Sequence, residues 1–319
     1  MLLTRNVFKE RRWMIAVALV VVLAGAAVIG FTGTGTEPQG EETKVLVSFY
    51  PLQYMTEQIG GDRVTVSSLI PPGSEVHSWQ PSIGDIASAE DADAIIYLGA
   101  GLDHWVQEDI LTSIDTSAKT VVEASQGITL LEMDEDGDHG DEHREGDPHL
   151  WVSPHTALML AGNIADALME ADPGNADYYA ERWAAFEETL RSLDERYSDT
   201  LASAAGETFF VTHSAYGYIA DRYGLIQHGI IGLSADEQPS TAKISEIVEE
   251  MTLTESYVIY VDPVYSDQYA KALKSELEIR TGETVKLLEL YLMVGHMGEM
   301  DYLDQLEANL DSLAEGLVN

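Results

Sequence analysis

Nine histidines and no cysteine set what chemistry this chain can do. Without thiols there is no disulfide framework, thiolate metal site or cysteine nucleophile, and no cysteine to carry a lipid. Imidazole remains, as a metal ligand or a proton carrier. Three histidines sit in telling surroundings. His77 lies in LIPPGSEVHSWQPS, in the loop leaving a strand-like run. His149 lies in GDPHLWVSP, where a polar stretch returns to ordered sequence, and His213 ends the apolar run FFVTH. Positions just beyond strand C-termini are where open α/β sheets bind ligands. The three are 72 and 64 residues apart, so only folding can bring them together, and spacing alone decides little. His139 and His143 are embedded in LEMDEDGDHGDEHREGD, residues 131–147, an acidic loop without periodicity. His104, His155, His228 and His296 match no ligand pattern and read as structural or surface residues.

The elements that must position these side chains alternate along the chain. Lys44–Phe49 is strand-like and Pro51–Ile59 helix-like, stopped by Gly60 and Gly61. Val64–Ile70 is strand-like, Ser82 caps a helix through Asp91 with Asp85 in its first turn, and Ala94–Leu98 is another apolar run. Such alternation implies a mainly parallel sheet flanked by helices. Asp172 followed by Pro173 marks a helix start. From there Tyr179, Trp183, Phe186, Leu190, Leu193, Tyr197 and Leu201 form one stripe at spacings of three and four. A helix over 173–204 spans about 48 Å, more than one βα unit needs. A spine joining two lobes explains it. A second strand set follows at Thr208–Thr212, Gly224–Ile231, Tyr257–Val261 and Val285–Leu288, and Tyr302–Leu317 closes the chain as a helix. At 319 residues two packed units are expected in any case.

Charge narrows the partners. There are 17 basic and 55 acidic residues, a formal net of −38. Residues 1–36 hold four basic residues against Glu10, so the remaining 13 basic and 54 acidic residues leave the body at −41. Phosphate backbones would be repelled, which excludes nucleic acid as a partner, while cations are drawn in. Arg11 and Arg12 precede Met14–Phe31, eighteen residues without a charge. That length crosses a bilayer core, with the positive flank inside and all that follows outside. Ala24–Ala27 alternatively reads as a signal-peptidase site. A retained anchor is favoured, and Thr32–Thr43 reads as its tether.

The motifs are specific enough to indicate a family. PPGSEVHSWQPS resembles the PGxxPHxxEPT element of the ZnuA/TroA-type metal-binding solute receptors, and DPHLWVSP is nearly identical to their DPHxWLSP. FFVTHSAYGYIADRYGL and SADEQPSTAKISEI are similar to the family's next segments, and YVDPVYS to its FxEPQFS strand. VKLLEL falls where the family has a strand ending in Leu-Asp-Pro-Leu. The likeness runs over about 44–319. It implies two α/β lobes joined by one long helix, with a metal in the cleft between them. The expected division is 1–43 anchor or signal segment plus tether, 44–172 first lobe, 173–204 linking helix and 205–319 second lobe.

The resemblance also implies a ligand set of His77, His149 and His213. Glu289 stands at the family's fourth ligand, normally Asp, and Leu290 replaces the following Pro. Asp262 occupies a family Glu position and is a weaker candidate, with water a third possibility. Three imidazoles and a carboxylate suit tetrahedral Zn²⁺, whereas Mn²⁺ favours more oxygens. A His at the third position goes with zinc in this family. The implied function is an extracytoplasmic receptor that delivers Zn²⁺ to an ABC-type importer, its permease in the membrane and its ATPase in the cytoplasm. The receptor is expected to be a monomer and not an enzyme. A receptor for Mn²⁺, another divalent metal or a metal chelate is the runner-up. A metal-dependent adhesin also remains open, and a zinc hydrolase lacks the HExxH pattern. The loop carrying His139 and His143 is similar to the His-rich insertion of zinc-type members. It reads equally as weak zinc sites or as a solvated acidic loop. Trp79 and Trp151, each two residues past a ligand His, read as cleft shields or as ordinary core.

Overall fold

A computed structural model describes residues 42–132, 146–232 and 239–318, and the chain from Glu42 onward forms one compact unit. The anchor or signal segment, most of the tether, His139 and His143, and the start of SADEQPSTAKISEI lie outside the described residues.

Two four-stranded parallel sheets make the frame. The first has the order β2-β1-β3-β4, from β1 (Thr43–Val47), β2 (Val64–Ser68), β3 (Ala94–Tyr97) and β4 (Thr120–Glu123). The second repeats that connection order as β6-β5-β7-β8, from β5 (Thr208–His213), β6 (Ile226–Ile231), β7 (Val258–Val261) and β8 (Lys286–Glu289). The central strands read as apolar runs because helices cover both faces: AIIY of β3 is buried throughout. Register follows, with Val45 opposite Val66 and Ala94, and Val211 opposite Tyr260.

Helices α1 (Tyr50–Gly60) and α2 (Ile83–Asp91) belong to the first lobe. Asp85 closes the start of α2 by accepting the Ser82 backbone N–H at 2.7 Å and its hydroxyl at 2.6 Å. Helix α3 (Pro154–Ala171) starts on a proline and buries a face of Ala157, Leu160, Ala161, Ile164 and Leu168. Neither α3 nor β4 stands out in the sequence reading. The linking helix is helical from Pro173 to Ala204, but its α-helical part, α4, runs from Ala176 to Leu201, about 39 Å. Pro173–Asn175 forms a 3₁₀ turn instead of the first α turn, because Gly174 disfavours helix and the Asp172 carboxylate is engaged elsewhere. It accepts the Asn175 amide at 2.6 Å and the Tyr179 hydroxyl at 2.9 Å. The apolar stripe is buried along its length except at Trp183, which lies half-buried over Gly162.

Helices α5 (Gly217–Tyr223), α6 (Thr241–Leu253), α7 (Gln268–Thr281) and α8 (Tyr302–Leu317) complete the second lobe. Helix α4 packs on α1 and α3 of the first lobe and on α5 and α8 of the second. One apolar core therefore runs from Val45 and Leu160 through Phe186 and Tyr197 to Phe209, Tyr260 and Leu306. A smaller cluster around Phe210, Ile259 and Leu273 lies on the other face of the second sheet.

Candidate metal centre

Each of the three histidines stands where a strand or loop turns toward the other lobe. His77 follows β2 on a loop whose Glu75 carboxylate accepts the His77 N–H at 2.9 Å. His149 sits just before a 3₁₀ turn, and His213 is the last residue of β5. Their side-chain nitrogens gather within 4.8 Å of one another. His77 Nε2 and His149 Nε2 are 3.2 Å apart, and the His149 and His213 rings are 5.1 Å apart, edge to face. His149 is fully buried, His213 is nearly so, and His77 keeps some exposure toward solvent.

Orientation comes from a residue the sequence reading passed over. Asp147 Oδ1 accepts both the His149 backbone N–H at 2.9 Å and its Nδ1–H at 2.8 Å. That fixes the tautomer and leaves the Nε2 lone pair facing His77 and His213. The signal was available as the Asp of DPH. Below the cluster, Trp151 is fully buried. Its ring lies 5.2 Å from His149 and 4.8 Å from Phe49, and its indole N–H donates to the Leu292 carbonyl at 2.7 Å. It is therefore a core residue joined to the second lobe. Trp79 packs on Trp105 with ring centroids 4.4 Å apart and planes tilted by 52°.

The two candidate carboxylates stand differently. Glu289 ends β8, is exposed, and accepts the Tyr291 hydroxyl. Asp262 is buried, and its oxygens accept the Val264 N–H at 2.7 Å and the Leu292 N–H at 2.6 Å. Burial pushes the Asp262 carboxyl up to about 7. The two N–H groups work against that, and the charges of Glu289 and Glu75 add to it. Among the described residues neither carboxylate joins the three-histidine group. Among the described residues, three further histidines stand outside it: His155 faces Asp194 at 3.7 Å, His228 faces Glu250 at 2.6 Å, and His296 packs on Tyr50.

A tetrahedral ion at roughly 2.0–2.1 Å from two nitrogens holds them about 3.3 Å apart, close to the observed Nε2 separation. Neutral nitrogen donors from both lobes, oriented by a buried carboxylate and backed by aromatic rings, suit a borderline cation such as Zn²⁺. Fold and site thus define a class: a two-lobed α/β binding protein with a helical spine and an imidazole cluster between its lobes.

Comparison with known proteins gives the family. The model of the periplasmic zinc-uptake complex component A, ZnuA, matches residues 45–316, and the chain belongs to this family. The high-affinity zinc uptake system protein ZnuA of Bacillus subtilis is 32% identical, covering 98% of this chain and 99% of that protein. The zinc-binding lipoprotein AdcA of Streptococcus pneumoniae R6 is also 32% identical, over 92% of this chain, which spans only 60% of AdcA's length. Among solved structures, the Zn(II)-bound ZnuA-like domain of Streptococcus pneumoniae AdcA superposes with a TM-score of 0.73 at 30% identity. It covers 88% of this chain and 100% of that domain. The laminin-binding protein Lmb of Streptococcus agalactiae, described as an adhesin with metal-transporting activity, gives 0.76 at 30% identity, covering 87% of this chain and 100% of Lmb.

Proposed function

We propose that this protein is the extracytoplasmic receptor of an ABC-type zinc importer. It captures Zn²⁺ with His77, His149 and His213 and passes it to a permease driven by a cytoplasmic ATPase. The observation that carries the reading is the 3.2 Å approach of two Nε2 atoms, with the third imidazole beside them, at a junction of two lobes. Glu289 is assigned as the fourth ligand, Asp262 serving to brace the cleft floor. Glu289 accepts the Tyr291 hydroxyl through Oε2 and is exposed, so packing does not lock its side chain. Zinc is cargo here, and the role is transport, not catalysis. The working parts are the lobes 44–172 and 205–319 and the helix 173–204 between them. Among the described residues no helix is long and apolar enough to cross a membrane. Anchoring is assigned to Met14–Phe31, eighteen residues without a charge that follow Arg11 and Arg12. The acidic loop with His139 and His143 gathers zinc weakly ahead of the main site.

Elemental analysis of protein purified without added metal, followed by zinc titration, tests the reading. One tight zinc per chain is expected. His213→Ala should weaken binding by several kcal/mol, given roughly 10–16 kcal/mol for a complete structural-type site. Wild-type affinity in His213→Ala would sink the ligand assignment.

A further inference from the structure

Two of the clustered imidazoles hang from the first lobe and one from the second, so a ready site needs a joint between lobes that does not depend on metal. The structure holds such a joint beside His149. Asp147, which orients His149, sits against the start of α5 in the second lobe. Its backbone carbonyl accepts the Tyr218 hydroxyl at 2.6 Å. The same hydroxyl accepts the Leu131 N–H at 3.3 Å, and the Asp147 N–H donates to the Leu131 carbonyl at 2.9 Å. Both stems of the acidic loop thus meet on one buried tyrosine of the other lobe. A second observation is independent of these bonds. A Cβ placed on Gly217 would lie 2.7 Å from Asp147 Oδ2 and 3.5 Å from Leu131 Cδ1. Only glycine lets the carboxylate settle there.

Gly217 and Tyr218 follow His213 by four and five residues. One short piece of chain therefore carries the second lobe's imidazole and seats the carboxylate that aims the first lobe's imidazole. We infer that Tyr218, with Gly217, is a positioning residue that sets the spacing of His149 and His213 before metal arrives. Zinc then meets a formed site, and its escape by lobe separation must first break a buried hydrogen bond. The inference rests on the three histidines being the zinc ligands.

The test uses Tyr218→Phe, which keeps the ring and removes the hydroxyl, and Gly217→Ala, which keeps the hydroxyl and presses on the carboxylate. Tyr223→Phe, which removes a hydroxyl bonded to Asp194 at 2.9 Å on the same helix, is the control. Zinc affinity is measured by chelator competition, zinc release by stopped flow into excess chelator, and site geometry by the ligand-field spectrum of the Co²⁺ form. Tyr218→Phe and Gly217→Ala should each weaken zinc by about 10- to 100-fold, mostly through faster release, and alter the Co²⁺ bands. Tyr223→Phe should lower the melting temperature without changing either. Wild-type affinity, release and Co²⁺ spectrum in both variants overturn the inference, whatever their melting temperatures. Should Tyr218→Phe fail to fold, Gly217→Ala alone decides. A wild-type protein that binds no zinc overturns the receptor reading instead.

Discussion

Gly295 offers a sharp perturbation, because it is where the backbones of the two lobes touch. The Gly73 N–H donates to the Val294 carbonyl at 2.8 Å, joining the loop that carries His77 to the segment after β8. A Cβ on Gly295 would lie 2.7 Å from Gly73 N, 3.1 Å from the Pro72 carbonyl carbon and 3.3 Å from Gly73 Cα. Ordinary contact begins near 3.4 Å, so Gly295→Ala must drive the loop away by about 0.7 Å, and backbone has no rotamer by which to yield. Overpacking of this kind costs about 1–3 kcal/mol, and losing the inter-lobe hydrogen bond adds about 1 kcal/mol. The metal-free protein should therefore melt roughly 5–15 °C lower. His77 is four residues past Gly73, so zinc affinity should also fall by about tenfold, or 1.4 kcal/mol. Scanning calorimetry and chelator competition read the two effects. Gly73→Ala is the control, since no atom lies within 4 Å of its Cβ and the change costs only the strain of its positive φ, about 1–2 kcal/mol. If Gly295→Ala melts with wild type and keeps its zinc affinity, the lobes are not in register at this point and the reasoning fails.

Glu289→Gln keeps size and removes charge, so zinc affinity should drop about tenfold if this carboxylate completes the site; a neutral result paired with a damaging Asp262→Asn moves the fourth ligand to β7. Asp103 is buried, accepts the Leu98 and Gly99 N–H groups at 2.7 and 2.8 Å, and has its carboxyl pushed up to about 6 by burial. A raised carboxyl favours folding while protonated, and that advantage fades as pH rises from about 4 through 6. Urea unfolding should accordingly show Asp103→Asn gaining on wild type by about 2–3 kcal/mol between pH 4 and pH 7. A constant difference across that range refutes the shift.

The frame was legible because its strands are short apolar runs cut by Gly and Pro, and because the stripe from Tyr179 to Leu201 has one period throughout. Tyr302–Leu317 was read to its ends, and the structure starts it on a capping box of Asp301 and Asp304. Less visible was β4, TVVE, too short and half-buried to stand out. The three histidines were picked out by motif, and their meeting at one site followed only from the family resemblance, because contacts across 64 and 72 residues leave no local trace. The supporting shell was harder still. Tyr218 and Gly295 act through distances to residues far along the chain, and no pattern in their own neighbourhood announces that, whereas Asp147 stands in the DPH motif beside the histidine it orients. Glu289 shows the converse: a motif position can be legible while the side chain's state depends on a neighbour, here Tyr291.

The shared core beneath the two lobes bears on how such receptors can be recombined. Lobes that merely touch can be exchanged between relatives like cassettes. Here Tyr197 of α4 donates to the Leu306 carbonyl, Tyr302 to the Trp151 carbonyl, and Trp151 to the Leu292 carbonyl, all buried. A graft of the second lobe alone would strand those donors and acceptors against foreign partners, each at about 1–3 kcal/mol. The seam for a viable hybrid therefore does not follow the cleft. It must pass around α4, the residues flanking Trp151 and the segment 290–295 together, so the smallest transplantable piece is almost the whole binding body.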